Sequence, residues 1–263
     1  MARKRQPDKT PPPQQPHDDL WPELRRLTAA RIGLARSGAS LATAPLLELR
    51  LAHARARDAV HAPLDTDRLV RELENLGAPV LSVASAATDR QHYLMRPDLG
   101  RRLAADAASV LAPHAGNYDV AFVVSDGLSA RAVAVHAEPL LAQVLAHLRA
   151  EHWAIAPLVV VRHGRVAIGD AIAAVLHAHI VVMLIGERPG LSAPDSMGAY
   201  LTWQPTSQTT DADRNCISNI RPEGLGYADA AFRLVHLLHA IRARRLSGVR
   251  LKDDGDRLLI GNR

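Results

Sequence analysis

Continuous apolar runs in the second half of the chain alternate with stretches of helical periodicity. The apolar runs predict four strands, at VAFVVSDG (120–127), PLVVVRHGR (157–165), IVVMLIGE (180–187) and AYLTWQP (199–205). The helical stretches are 129–153, 166–178 and 226–246. Apolar strands of this kind, joined by helices, are typical of βαβ units whose sheet is buried on both faces. The pattern therefore predicts an α/β fold with a mostly parallel sheet flanked by helices.

The first part of the chain has a different pattern, mainly that of helices. Helical spacing begins after Asp19, and the further predicted helices are 44–60, 65–76 (capped by Asp65 or Thr66) and 97–111, with a short strand at 79–84. We expect a mainly helical domain at 19–112 and the sheet domain at 118–250. Residues 1–18, rich in Pro, Gln and charge, are expected to be a disordered tail, and residues 251–263 are left unassigned.

Composition narrows the class of protein. Apolar residues make up 48% of the 263 residues and aromatic residues only 3%, so we expect a core of Ala, Leu, Val and Ile. One cysteine excludes an intramolecular disulfide, which fits a cytosolic setting. No apolar run approaches the ~18 residues of a membrane span, and the basic N-terminus is not followed by the apolar segment of a secretory signal. The net charge of +5 is concentrated at the N-terminus and at 242–252, without the aromatic residues that favour nucleic-acid binding.

Polar, glycine-containing segments follow three of the predicted strands. They are Ser125-Asp126-Gly127, Arg162-His163-Gly164 and Gly186-Glu187-Arg188. Because ligands of parallel sheets bind outside the carboxyl ends of the strands, we expect a site where these segments meet.

Several common sites lack a candidate in the sequence. Neither the dinucleotide fingerprint G-x-G-x-x-G nor the phosphate loop G-x-x-x-x-G-K-[ST] follows a strand, although the sheet resembles a Rossmann arrangement. His236/His239 and His177/His179 lack a carboxylate or cysteine at a metal-ligand spacing, so we interpret them as ordinary surface and boundary residues. Ser125 lacks the G-x-S-x-G turn of a hydrolase nucleophile.

Glu187 and Cys216 each allow two interpretations. Glu187 is either an exposed turn residue that pairs with a base, or a strand-end acceptor for ligand N–H groups, with Pro189 and Gly190 restricting the backbone nearby. For Cys216 we favour a small buried apolar residue over a redox group, and packing against a cofactor stays open, since its segment is either a ligand wall or a subunit contact. Cys216 lies in the polar segment 211–224, which we expect to be a rigid loop.

Six segments, in order along the chain, resemble the small subunit of ethanolamine ammonia-lyase, an adenosylcobalamin-dependent enzyme. They are LRRLTAARIGLARSG (24–38), YLMRPDLGRRL (93–103), VVSDGLSA (123–130), VRHGRVAIGD (161–170), IGERPGLSAPDSMGAY (185–200) and ADRNCISNIRPEGLGYADAA (212–231). The resemblance covers most of residues 20–250, and GERPGL and RNCISNI are its most specific parts.

The resemblance implies a fold, a partner and a reaction. Ethanolamine is converted to acetaldehyde and ammonia by a radical mechanism, in a substrate pocket that belongs to the large subunit. The small subunit is a Rossmann-like protein that forms part of the cobalamin pocket in a hetero-oligomer. It is not active alone, and no catalytic residue is expected on this chain.

The family's cobalamin contacts correspond to Val166 in VRHGRV, Glu187 in GERPG and Cys216 in RNCISN. Val166 would pack on the corrin or the nucleotide base, Glu187 would accept N–H bonds from corrin amides, and Cys216 would let its segment lie close to the cofactor. The motif D-x-H-x-x-G, whose histidine replaces the lower cobalt ligand, does not occur. The cofactor is therefore expected to be adenosylcobalamin bound base-on.

Two other functions remain open from the sequence. One is a stand-alone cobalamin or nucleotide carrier without lyase activity. The other, resting on charge alone, is a nucleic-acid-binding protein, which we disfavour along with any membrane partner. We expect a cytoplasmic complex, free or enclosed in a bacterial microcompartment, although residues 1–18 contain no clear targeting helix.

Overall fold

The computed structural model of the protein describes residues 20–252, so the predicted tail 1–18 and most of segment 251–263 lie outside the described residues. The chain divides into two compact units between Arg50 and Leu51. The sequence-based boundary near residue 112 stays a prediction.

The first unit is small and contains a short helix and a pair of two-residue strands. Helix α1 is Trp21–Leu27, strand β1 is Arg36–Ser37 and strand β2 is Ser40–Leu41. Arg25 Nε donates to the Ile32 carbonyl at 3.1 Å, which ties α1 to the segment that follows it. No residue of α1 is buried. Helix α2, Thr43–His61, crosses the division between the units.

The second unit contains the remaining regular elements. Its helices are α3 Thr66–Glu74, α4 Arg90–Met95, α5 Ala107–Leu111, α6 Ala130–Ala150, α7 Ile168–Leu176 and α8 Tyr227–Arg244. Its strands are β3 Val80–Ala84, β4 Tyr118–Ser125, β5 Leu158–Arg162, β6 Ala178–Gly186, β7 Met197–Trp203 and β8 Arg214–Ile220. The prediction of an α/β fold with flanking helices is confirmed.

These six strands form one mixed sheet in the order β3-β5-β4-β6-β7-β8. The first four strands are parallel, and β7 and β8 are antiparallel additions at one side. The carboxyl ends of β3, β5, β4 and β6 therefore lie along one edge of the sheet, together with the start of β7. The expectation of a mostly parallel sheet is confirmed.

Helices bury both faces of the sheet, which explains why its strands are continuously apolar. Phe122 and Val124 pack on one face with residues of α3, α6 and α8. Val123 packs on the other face with residues of α5 and α7, among them Leu111 and Ile172. Successive residues of β4 therefore pack in different hydrophobic cores, because the side chains of a strand point alternately to the two faces of the sheet.

Two predictions about local structure are wrong. Residues 97–111 do not form one helix, because the backbone at 102–104 pairs with the end of β3 and the residues just after it. Ala86 N–H donates to the Arg102 carbonyl at 2.8 Å, and Ala104 N–H donates to the Ala84 carbonyl at 3.0 Å. Segment 211–224 is not a loop throughout, since its centre is strand β8. Its polar residues are those of an edge strand, where one face meets solvent.

The predicted start of α3 is confirmed and the cap is Asp65, whose carboxylate accepts the Arg68 N–H at 3.0 Å. Within residues 20–252, every helix falls short of the length or apolar character that a bilayer crossing requires.

Candidate functional site

The carboxyl ends of β4, β5 and β6 meet closely, as their sequences predicted. Gly186 at the end of β6 lies against the turn that leads into α6, where a Cβ added to it would stand 2.0 Å from the Ser129 carbonyl oxygen and 2.5 Å from that of Asp126. The Gly186 carbonyl accepts the Leu128 N–H at 2.9 Å. Only glycine allows this approach of two backbones.

One half of this edge is closed by its own hydrogen bonds. We call it the sealed half and define it as Ser125, Asp126, His163 and Gly164. Asp126 is 2% exposed, and its carboxylate accepts the His163 backbone N–H at 2.8 Å and the Ser125 hydroxyl at 3.1 Å. Ser125 Oγ in turn accepts the Gly164 N–H at 3.0 Å. These polar groups satisfy one another instead of facing a ligand.

Arg90 on α4 completes the sealed half. Its Nη1 lies 3.3 Å from Asp126 Oδ2 and donates to the Gly127 carbonyl at 2.7 Å, while Nε donates to the Val60 carbonyl at 2.7 Å. Burial lowers the pKa of Arg90 and the Asp126 charge opposes that shift. The buried ion pair therefore holds α4 against the sheet.

The other half of the edge is an open groove of about 440 Å³. We call it the groove, and its lining includes Tyr93, Arg165, Val166, Glu187, Arg188 and Tyr200. Leu128 and Ile185 add apolar surface. The groove thus combines an apolar floor with charged and hydroxyl groups, which is typical of a ligand site.

Glu187 is the most highly bonded side chain of the groove. Its Oε1 accepts the Ser218 hydroxyl at 2.5 Å, and its Oε2 accepts the Asn219 N–H at 3.2 Å and the Ser196 hydroxyl. A Cβ added to Gly198 would stand 2.8 Å from Oε1, so the carboxylate rests directly on that glycine. A carboxylate has about four acceptor sites, and the three internal donors leave one on Oε1.

Cys216 lies beside the groove rather than in its lining. It is opposite Tyr200 in the β7–β8 register, and the thiol interacts with the Tyr200 hydroxyl and with the Glu187 charge. Although Cys216 has exposed surface, desolvation by its neighbours raises the pKa of the thiol. Burial likewise raises the pKa of the Tyr200 hydroxyl.

The structure thus brings the three residues predicted from the sequence to one region. Val166 and Glu187 line the same groove, and Tyr200 connects Cys216 to it. That these residues bind cobalamin stays a prediction.

Sequence reasoning missed the pair formed by Tyr93 and Arg165. The Arg165 guanidinium lies 4.2 Å from the centre of the Tyr93 ring, and its Nη2 donates to the Tyr93 carbonyl at 3.2 Å. Tyr93 is fully buried, and burial raises the pKa of its hydroxyl to about 12. Both residues lie in segments that carry the family resemblance, but more than seventy residues separate them, so the pairing depends on the fold.

Among residues 20–252, His, Cys, Asp and Glu side chains form no group of three that could hold a metal ion. A separate groove of about 580 Å³ lies at the amino ends of β4 and β6 and includes Asp119, His179 and Arg242, but none of the predicted site residues.

Comparison with known proteins gives a consistent result. Residues 18–252 match the family model of the ethanolamine ammonia-lyase light chain. The chain is 53% identical over 253 residues to the ethanolamine ammonia-lyase small subunit of Xanthomonas campestris pv. campestris, covering 95% of this chain and 93% of the relative. It is likewise 53% identical to the small subunit of Azotobacter vinelandii, covering 95% and 92%. The small subunit of Ralstonia nicotianae is 54% identical over 237 residues, covering 89% and 88%.

Proposed function

Because the chain belongs to the ethanolamine ammonia-lyase light chain family, we propose that it is the small subunit of an adenosylcobalamin-dependent ethanolamine ammonia-lyase. Its role is to form one wall of the cobalamin pocket, with Val166, Glu187 and Cys216 as contacts. The observation that carries this proposal is that Val166 and Glu187 line one groove at the carboxyl edge of the sheet, with Cys216 next to it, opposite Tyr200.

The chemistry of the groove suits a corrinoid. A corrin ring is apolar on its faces and carries amide side chains around its rim. Val166, Leu128 and Ile185 provide apolar surface, and the remaining acceptor site on Glu187 Oε1 suits an amide N–H. Because three internal donors already hold the carboxylate, it is oriented before a ligand arrives, which lowers the entropy cost of binding.

The volume of the groove supports the proposal that it is part of a larger pocket. Its volume of about 440 Å³ suits a drug-sized ligand, whereas a cobalamin is far larger. We propose that the large subunit covers the rest of the cofactor in a hetero-oligomer. The large subunit also supplies the substrate pocket, so this chain has no catalytic residue and is inactive alone.

Bound adenosylcobalamin supplies the adenosyl radical for converting ethanolamine to acetaldehyde and ammonia. Within that reaction, this chain binds and orients the cofactor. We propose base-on binding, in which dimethylbenzimidazole stays on cobalt. Electron paramagnetic resonance of the cob(II)alamin form, with protein imidazole nitrogen labelled, tests this point. Coupling to a protein histidine nitrogen would refute base-on binding.

The central experiment is reconstitution with the large subunit. We expect co-purification of the two chains, deamination only by the pair, and weaker cobalamin binding by Glu187→Ala by about 1–3 kcal/mol, the cost of leaving polar partners unpaired. Glu74→Ala, at an exposed glutamate of α3, is the matched control and should leave the affinity unchanged. Unchanged affinity of the Glu187 variant would remove Glu187 from the site.

The same experiment separates the alternative, a stand-alone carrier of cobalamin or a nucleotide. A carrier would bind its ligand tightly without the large subunit and would not release acetaldehyde with it. We further propose a cytoplasmic complex. Co-sedimentation of this chain with microcompartment shells after cell fractionation would instead place it inside such a compartment.

A further inference from the structure

Two arginines at the groove, Arg165 and Arg188, have no carboxylate within ion-pair distance among the described residues. By contrast, Arg90 is paired with Asp126 and Arg221 with Asp195. Glu187 lies beside Arg188 in sequence, but its carboxylate is held by Ser196, Ser218 and Asn219. The lining of the groove therefore holds two arginines against one glutamate, a formal net charge of +1.

Arg165 is held in a defined position. Its backbone N–H donates to the Gly100 carbonyl at 2.7 Å, and a Cβ added to Gly100 would stand 2.8 Å from Arg165 Cγ. The guanidinium then lies over the Tyr93 ring. The backbone, the aliphatic part and the guanidinium of Arg165 thus each have a contact. The side chain therefore loses little further conformational entropy when a ligand binds.

Most of the donors of this fixed guanidinium are unused. Its one hydrogen bond within residues 20–252 is from Nη2 to the Tyr93 carbonyl at 3.2 Å, and Nε is buried without an acceptor. A guanidinium has five N–H donors, and a buried donor without a partner is costly. Arg90 directs its own charge to Asp126, and its pKa is lowered by burial and further by the nearby Arg165 charge. A ligand anion is the partner that this geometry lacks.

We propose that Arg165, assisted by Arg188, binds the phosphodiester of the cobalamin nucleotide loop. The inference rests on the proposed function and extends it to a part of the cofactor that Val166, Glu187 and Cys216 do not address. The phosphodiester is the anionic group among the side chains of cobalamin. Planar guanidinium groups bind phosphate oxygens through two parallel hydrogen bonds, which a lysine does not reproduce.

The test compares adenosylcobalamin with adenosylcobinamide, which lacks the nucleotide loop and its phosphate. Both are titrated by absorbance into the complex of this chain with the large subunit. We expect Arg165→Met to raise the Kd of adenosylcobalamin by about tenfold or more, the loss of a charge-assisted contact, and to change that of adenosylcobinamide less than about twofold. Glu187→Ala should weaken the binding of both corrinoids. Arg162→Met, at an exposed arginine that ends β5, is the matched control.

Two further measurements support the comparison. Arg188→Met removes an exposed charge that does not affect packing, and we expect a selective loss of about threefold for adenosylcobalamin. The Kd of adenosylcobalamin should rise with KCl concentration more steeply for the wild type than for the Arg165→Met variant. The reason is that salt screens a charge pair that only the wild type has.

Equal losses for both corrinoids, or no loss for either, would overturn the inference and leave the proposed function intact. Weaker association of the two subunits in the absence of cofactor would also overturn it, since Arg165 would then pair with the large subunit. Failure of the wild-type complex to bind either corrinoid would overturn the proposed function, and this inference with it.

Discussion

The sealed half and the groove lie side by side on the carboxyl edge of one sheet and look alike in sequence. Each has an acidic residue next to a glycine at a strand end, Asp126 before Gly127 and Glu187 after Gly186. Asp126 is 2% exposed and pairs with Arg90 and His163. Glu187 is partly exposed and lines an open groove. One carboxylate stabilises the protein, and the other is available to a ligand.

The difference lies in the charge that each carboxylate meets. A buried arginine neutralises Asp126, whereas hydroxyl and backbone N–H donors hold Glu187. Among the described residues, the neighbouring Arg165 and Arg188 are then left without a carboxylate partner. A polar residue at a strand end therefore indicates a binding site only if some of its hydrogen-bonding capacity remains unused.

The largest effect is expected from Asp126→Asn. Removing the charge leaves Arg90 buried without its counter-ion, so the free energy of unfolding should fall by about 3–5 kcal/mol. Urea denaturation followed by circular dichroism measures the change. Asp98→Asn is the control, because Asp98 is an exposed residue that pairs with Arg96 and Arg102. Equal shifts in both variants would contradict the structural role of the sealed half.

Two glycine substitutions at the carboxyl edge of the sheet should affect stability and cobalamin affinity differently. Gly186→Ala forces a Cβ against the Ser129 and Asp126 carbonyl oxygens, and the free energy of unfolding should fall by about 2–3 kcal/mol.

Gly198→Ala instead displaces the Glu187 carboxylate, whose flexible end can move. We expect a smaller loss of stability than in the Gly186 variant, because hydrogen bonds of Glu187 are disturbed but no backbone is displaced, and a loss of cobalamin affinity of about 1 kcal/mol in the two-subunit complex. Parallel urea and cobalamin titrations distinguish the two profiles. A Gly198 variant that unfolds as easily as the Gly186 variant would show that the groove, too, is mainly structural.

The smallest effect concerns Cys216. Because desolvation raises the pKa of the thiol, less of the reactive thiolate is present at a given pH, and iodoacetamide should alkylate it more slowly at pH 8 than it alkylates free cysteine. The rate should increase with pH beyond the range in which free cysteine levels off. Tyr200→Phe should slow alkylation further, because the hydrogen bond of Tyr200 lowers the thiol pKa. Mass spectrometry at several pH values gives the rates, and a rate equal to that of free cysteine would contradict the assigned environment.

Much of the fold was predictable because its signals are local. The apolar runs at β4, β5 and β6 have the length and continuity of strands buried on both faces, and α3 carries its own cap at Asp65. The segments around 97–111 and 211–224 were misjudged for a different reason. The first pairs with a strand nearly twenty residues earlier, and the second is an edge strand whose polar residues resemble those of a loop.

The sequence by itself determined the α/β class, the family and the strand ends at which polar residues accumulate, since each depends on the order and spacing of residues. Only the tertiary structure decided which of those polar residues remain available. The Asp126 carboxylate is paired with Arg90, thirty-six residues away. Arg165 is positioned by Tyr93 but keeps unused N–H donors. Hydrogen bonds and ion pairs between distant segments form only when the sheet brings the segments together, so a linear pattern does not show which polar groups they leave free.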